Sequence, residues 1–316
     1  MESLISSKNK GPFFFLLGLF VIISPFFLQV FYIQFITKIF IYIIFAYGLY
    51  LLVNLTGLVS LGHAIFFGFS GYCLYFFSNY FPDLNFIVLF ALSIFITIII
   101  SVFVGLIVLK TKGLYFLMST LAISQIFYYL FHDFDFSGGS DGVFINVIKP
   151  IEWFNLNINF LGGTYSLFYL SLTFCFLSAA LVIFISKSRL GLVLNAIRLN
   201  EEKVSALGYS VKNLKLFVFV LSAILSAIAG VLFSLQFGYI NPENLSWHLS
   251  VIVLIILIIG IKNGAFGPII GSLCFLILEL LLQGLTVYWK FFLGFFIIVI
   301  TMNNHKSFLG IFNKKL

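Results

Sequence analysis

Side chains capable of covalent or metal chemistry are few in this chain and poorly spaced for it. Four histidines, His63, His132, His248 and His305, stand far apart, and no His-Glu-x-x-His zinc helix is present. No Gly-x-Ser-x-Gly nucleophile elbow occurs, and no Gly-x-x-x-x-Gly-Lys-Ser/Thr loop could cradle a nucleotide phosphate. Hydrolase and self-contained ATPase chemistry are therefore without visible residues. Cys73, Cys175 and Cys274 each fall inside apolar runs without metal or disulfide spacing, and are expected to be buried small side chains. A run of small residues stands out instead: Gly57-Leu-Val-Ser-Leu-Gly62-His63-Ala-Ile-Phe-Phe-Gly68-Phe-Ser-Gly71-Tyr72, set in a sequence dominated by Phe, Leu and Ile. Glycine, serine and histidine at membrane depth mark close backbone approach or the lining of a path.

The elements that must position this run are membrane helices. With 62% hydrophobic and 9% charged residues, the 316-residue chain cannot make a soluble surface. A span needs about 20 apolar residues, so the whole of 1–316 reads as one transmembrane domain with no room for a catalytic one. Hydropathy and breaks give candidate spans near 13–35, 39–58, 61–80, 86–109, 113–131, 165–186, 214–236, 248–261, 265–283 and 286–302. The third is glycine-rich and the eighth short, so either could be re-entrant. The expected fold is all-α, a polytopic bundle of about 8–10 spans. Lys8 and Lys10 precede an apolar run too long for a cleaved leader, and a retained first helix kinked at Pro25 is expected.

Charge placement orients the bundle. The 187–215 stretch holds six Lys and Arg against Glu201 and Glu202, whereas 132–164 holds Asp133, Asp135, Asp141 and Glu152 against Lys149. Positive loops stay cytoplasmic, so 187–213 is expected inside, 132–164 in the periplasm, and both termini in the cytoplasm. Lys38 and Lys290 run against the rule. The net charge of +7 is thereby an orientation signal, with nothing to support nucleic-acid binding. Glu279, near the end of an apolar span, is expected either to snorkel or pair with Gln283 or Lys290, or to serve a coupling ion.

The 188–208 stretch is too patterned for a connector. Leu190, Val193, Leu194, Ile197, Val204 and Leu207 recur at helical spacing. Asn200 followed by Glu201 and Glu202 has the form of a helix start, and Gly208 that of a stop. A helix near 189–199, a bend at Asn200 and a further turn or two to Leu207 follow. Such a pair could lie on anionic lipid or dock a soluble partner. Small residues also repeat at Ser222, Ser226 and Gly230, with Ala223 and Ala227 beside them, and at Gly267 and Gly271, a spacing that suits close helix packing.

Four blocks in order resemble the inner-membrane permease subunits of bacterial ABC importers for branched-chain amino acids. They are Thr56–Gly68 with Gly71-Tyr72; Lys112–Ala122 leading to Ser137-Gly-Gly-Ser-Asp-Gly142; Ser188–Gly191 through Asn195–Glu201 to Ala206-Leu-Gly208; and Ile240-Asn-Pro-Glu243 with Gly264–Gly271. The resemblance implies half of a heterodimeric channel, paired with a paralogous permease, driven by two cytoplasmic ATPase subunits that bind the ATP, and fed by a periplasmic binding protein. No cofactor or metal would belong to this chain. The ATPase-facing surface would map to Arg189, Ala196, Arg198, Asn200, Glu201, Glu202, Ala206 and Gly208. Hydrogen-bonding and aromatic groups for an amino-acid path would be Ser60, His63, Phe66, Tyr72, Ser119, Thr120 and Gln125, with a helix–helix bond equally open for His63. Gly57, Gly62 and Gly68, with the small residues above, would serve packing. Related permeases carry urea or short amides, which stays open as a cargo. A stand-alone secondary transporter or channel would need coupling carboxylates or a filter sequence, and neither is visible.

Overall fold

A computed structural model describes residues 25, 27–145 and 163–303. The chain is an all-α bundle. Six helical stretches among the described residues are long and apolar enough to cross a membrane, namely Val30–Thr56, Phe86–Val108, Leu114–Asp133, Gly163–Lys187, Val211–Phe237 and Asn263–Leu285. In chain order the helices are α1 (Val30–Tyr50, continued as a π-helical turn Leu51–Thr56), α2 (Ala64–Tyr80), α3 (Phe86–Val108), α4 (Leu114–Asp133), α5 (Gly163–Lys187), α6 (Arg189–Leu199), α7 (Glu201–Ala206), α8 (Val211–Phe237), α9 (Trp247–Gly260), α10 (Gly267–Leu285) and α11 (Trp289–Asn303). α8 is the central post, packed on α1, α2 and α3, and α1 also packs on α5. Large apolar side chains on the outer faces, such as Phe95, Phe103, Ile126 and Phe184, remain exposed, as lipid-facing positions should.

Several expected boundaries move. α1 runs unbroken through residues 36–38, where the sequence suggested a break between spans 13–35 and 39–58; residues 13–24 and 26 lie outside the described residues. Lys38 can sit inside the helix because Glu279 of α10 faces it, Nζ to Oε2 at 3.4 Å, with Gln283 Nε2 donating to the other carboxylate oxygen at 3.2 Å. Lys290 instead stands over the Trp289 ring. The expected span 61–80 begins only at Ala64, since residues 57–63 have no regular structure, and α2 is 17 residues long. α9 has 14 residues, fewer than a straight crossing needs. Cys73 and Cys175 are buried as expected, but Cys274 is exposed.

Among the irregular segments of the described residues, two bear on the site. Residues 57–63 precede α2, and residues 238–246 precede α9 as a short strand (β2, Tyr239–Ile240) and a 3-10 turn (Pro242–Leu245). Irregular backbone at membrane depth survives where protein covers it and satisfies its polar groups. Here the amide of Ala64 donates to Ser250 Oγ at 2.9 Å, and Ser124 Oγ donates to the Leu245 carbonyl at 2.8 Å. β2 pairs antiparallel with β1 (Val143–Phe144), and Gly142 lies so close that a Cβ there would stand 2.4 Å from the Ile240 carbonyl oxygen.

Candidate coupling and translocation site

The four blocks, distant in sequence, meet around residues 57–71. Gly57 takes φ +72°, a left-handed conformation that ends the π-turn of α1, and a Cβ on it would stand 2.9 Å from Arg198 Cγ in the third block. A Cβ on Gly62 would meet the Thr120 carbonyl oxygen at 2.6 Å, in the second block. Gly68 faces Leu245 and the Asn244 carbonyl, and Gly71 faces Ile240 in the fourth block at 2.8 Å. Small residues there let three other segments lie against one short stretch.

The α6–α7 pair forms where local chemistry puts it. Ser188 caps α6 by accepting from the Gly191 amide at 3.3 Å, Asn200 is extended, and its side chain accepts from the Lys203 amide at 3.0 Å to cap α7. Gly208 follows at φ +88°. Leu194, Ile197 and Val204 are buried against the bundle, while Leu192, Leu199 and Leu207 are exposed.

The polar residues of this pair divide into two sets. Arg198 turns inward and donates from Nη1 to the Asn54 carbonyl at 2.8 Å, within the π-turn. Glu201 also turns inward, bonded to Lys215 at the start of α8 and to Lys112 before α4, the latter at 3.2 Å. Burial alone would raise the Glu201 carboxyl, but the hydrogen bonds and charges of Lys215 and Lys112 outweigh it and hold the group below its usual value. Arg189, Asn200, Glu202, Ala206 and Gly208 are exposed, and Ala196 is half-buried. Arg198 and Glu201 therefore connect the helix pair to the bundle, and the exposed set with the three leucines forms its outer surface.

The expected path residues occupy seams within the chain. His63 is fully buried, Nδ1 at 2.8 Å from Ser60 Oγ and Nε2 at 2.7 Å from Ser222 Oγ, and Ser222 donates on to the Gly48 carbonyl at 2.6 Å. This chain of bonds ties residues 57–63 to α8 and α1. Phe66 packs edge-on against His63 and Phe219, and Tyr72 packs on Phe131. Thr120 accepts from the Leu61 amide at 3.1 Å; Ser119 bonds to the Phe116 carbonyl; Gln125 is half-buried on α4.

The two cavities described for this chain lie elsewhere. One, of about 290 Å³ and mostly apolar, lies between the π-turn and α9, with Tyr50, Asn54, Leu61, Leu117 and Leu257 among its walls. The other, of about 410 Å³, lies between α1, α8 and α10 around Lys38 and Glu279. None of the seven expected path residues lines either. The packing residues are in contact: a Cβ on Gly230 would meet the Phe67 carbonyl oxygen at 1.9 Å, one on Gly271 the Ile256 carbonyl oxygen at 2.0 Å, and one on Gly267 the Gly260 carbonyl oxygen at 2.7 Å, while Ser226 Oγ bonds to the Ser222 carbonyl.

Sequence patterns did not single out Asn54, nor the Lys38–Glu279 pair. The breach of the charge rule by Lys38 was the available signal: a lysine inside an apolar helix needs an internal anion.

A family model described as "Branched-chain amino acid transport system / permease component" matches residues 31–301. Two curated relatives, both called "High-affinity branched-chain amino acid transport system permease protein LivM", come from Escherichia coli (strain K12) and Salmonella typhimurium; each is 26% identical over 274 residues, covering 80% of this chain and 64% of the relative. The chain thus spans a little under two thirds of the length of those relatives. No solved structure matches.

Proposed function

Since the chain belongs to the family of permease components of branched-chain amino acid transport systems, we propose that it is the membrane subunit of an ATP-driven importer for branched-chain or other neutral amino acids. It works in the inner membrane with 187–213 and both termini in the cytoplasm. A paralogous permease completes the channel, two cytoplasmic ATPases bind the ATP, and a periplasmic binding protein delivers the cargo. ATP binding closes the ATPase pair, the closure moves α6–α7, and the bundle alternates its access.

One observation carries the coupling part: Arg198 and Glu201 join α6–α7 to α1, α4 and α8 at once, through the Asn54 carbonyl, Lys112 and Lys215. A helix pair lying passively on lipid has no need of three such links. The apolar surface of Leu192, Leu199 and Leu207 suits a groove on a soluble partner.

The test is uptake of labelled leucine and of labelled urea by cells with and without the gene. Loss of leucine uptake alone supports the reading. Loss of urea uptake alone would reassign the cargo to short amides, and unchanged uptake of both would refute an import role.

A further inference from the structure

Polar side chains also gather at the end of the bundle opposite α6–α7. Gln34 lies 20 residues along the α1 stretch from Asn54, about 30 Å at helical rise, and Gln236 lies at the far end of α8 from Lys215. There the cavity of about 410 Å³ is lined by Gln34, Lys38, Gln236, Glu279 and Gln283, with Phe35 and Leu276 among its apolar walls. Small-molecule sites span about 300–1,000 Å³.

This cluster is more than a tether between α1 and α10. The Lys38–Glu279 separation of 3.4 Å exceeds the roughly 2.7–2.9 Å of a tight charge-assisted bond. The two side chains are only 25% and 18% exposed, so both have left bulk water for a loose contact. Gln236 donates from Nε2 to the Gln34 carbonyl at 2.6 Å, while its buried Oε1 has no hydrogen-bond partner among the described residues. An unused buried acceptor, an ammonium and a carboxylate therefore line one cavity beside apolar walls.

We propose that this cavity holds a neutral α-amino acid zwitterion in transit, a reading that rests on the amino-acid import role above. The Lys38 ammonium and the Gln283 amide take the carboxylate, Glu279 and Gln236 Oε1 take the ammonium, and the apolar wall takes the side chain. An anion alone would face Glu279, and a cation alone Lys38. A short amide would need neither charge. A molecule that carries an ammonium and a carboxylate on one carbon can answer both members of this loose pair at once.

The test uses the whole transporter, with its partner permease, ATPases and binding protein, in liposomes. In Lys38→Met/Glu279→Leu both charges go and volume is nearly kept, a change that a purely structural buried pair tolerates. Leucine uptake is expected to fall by about tenfold or more, the effect of about 1.4 kcal/mol. Thermal unfolding of the purified double variant in detergent should stay close to that of the unaltered chain, so that the fall in uptake is not a loss of fold. Uptake within about twofold of the unaltered transporter would overturn the site.

A second measurement needs neither charge removed. Phe31→Cys places a thiol at the cavity rim, in a Cys274→Ser background, and its reaction with a membrane-impermeant maleimide is timed. Leucine is expected to slow labelling about threefold or more, as site occupancy requires, whereas 4-methylpentanoate and isoamylamine, each lacking one charge, do not. Equal rates with all three compounds would refute zwitterion recognition. If the unaltered transporter takes up no leucine, the import reading itself fails; if it does and the double variant does equally, only this site fails.

Discussion

Arg198 Cγ lies 2.9 Å from where a Cβ on Gly57 would stand, so the α6 helix and the break after α1 are fitted against each other atom to atom. The guanidinium of the same residue holds the Asn54 carbonyl three residues earlier. Motion of α6 must therefore reach the end of α1 or break this fit.

Gly57→Ala should damage that junction twice, by a side chain at φ +72° and by the clash with Arg198. A stability loss of about 1–2 kcal/mol from the left-handed conformation alone is expected. Combining it with Arg198→Ala should cost less than the sum of the single changes, because the clash is gone. A double-mutant cycle on thermal unfolding in detergent reads this directly; strict additivity would mean that the two residues do not share the space.

The Glu201 links carry a pH dependence. Because the folded-state carboxyl is held below its ordinary value, the stabilisation is present above the ordinary carboxylate range and is lost as pH falls through the lowered value. Protease sensitivity of the 199–213 stretch should rise in acid, and Glu201→Gln should show that sensitivity already at neutral pH. Equal sensitivity of the variant and the unaltered chain at neutral pH would remove Glu201 as an anchor.

Close packing at Gly230 predicts a sharp steric limit. A Cβ there would stand 1.9 Å from the Phe67 carbonyl oxygen, and α8 and α2 would have to separate. Gly230→Val should lower stability by about 1–3 kcal/mol or more. Gly284→Ala, where nothing lies within 4 Å, should be neutral or stabilising by up to about 1 kcal/mol. Thermal shifts of the two purified variants give the comparison.

What was legible in the sequence was mostly local. Asn200, Glu201 and Gly208 announce a cap, a first turn and a stop within nine residues, and α6, the bend and α7 form where those residues direct. The small-residue repeat on α8 likewise marks a seam, since Ser222 and Gly230 need only a neighbouring helix. Lys38 misled because its partner is 241 residues away; read alone, a lysine in an apolar run looks like a span boundary. Residues 57–58 and 61–63 read as the ends of two spans by composition, yet Gly57 turns the backbone out of the first helix and the next begins only at Ala64. Ser60 and His63 look like path residues by type; in space His63 bonds to both Ser60 and Ser222, a seam that no local pattern announces.

His63→Leu tests that assignment. Losing the bonds to Ser60 and Ser222 leaves buried hydroxyl groups without that partner, a cost of about 1–3 kcal/mol in stability. The ratio of leucine to isoleucine and valine uptake should not change, because His63 lines neither cavity. A changed ratio at unchanged stability would return His63 to the path.

ATP-driven import through this subunit is read from leucine accumulation in liposomes holding the complete transporter. With ATP on the ATPase side and leucine-loaded binding protein on the other, leucine should concentrate inside against its gradient and cease to do so when ATP is withheld or this chain is left out. Accumulation without ATP, driven by a proton or sodium gradient alone, would show a secondary transporter instead.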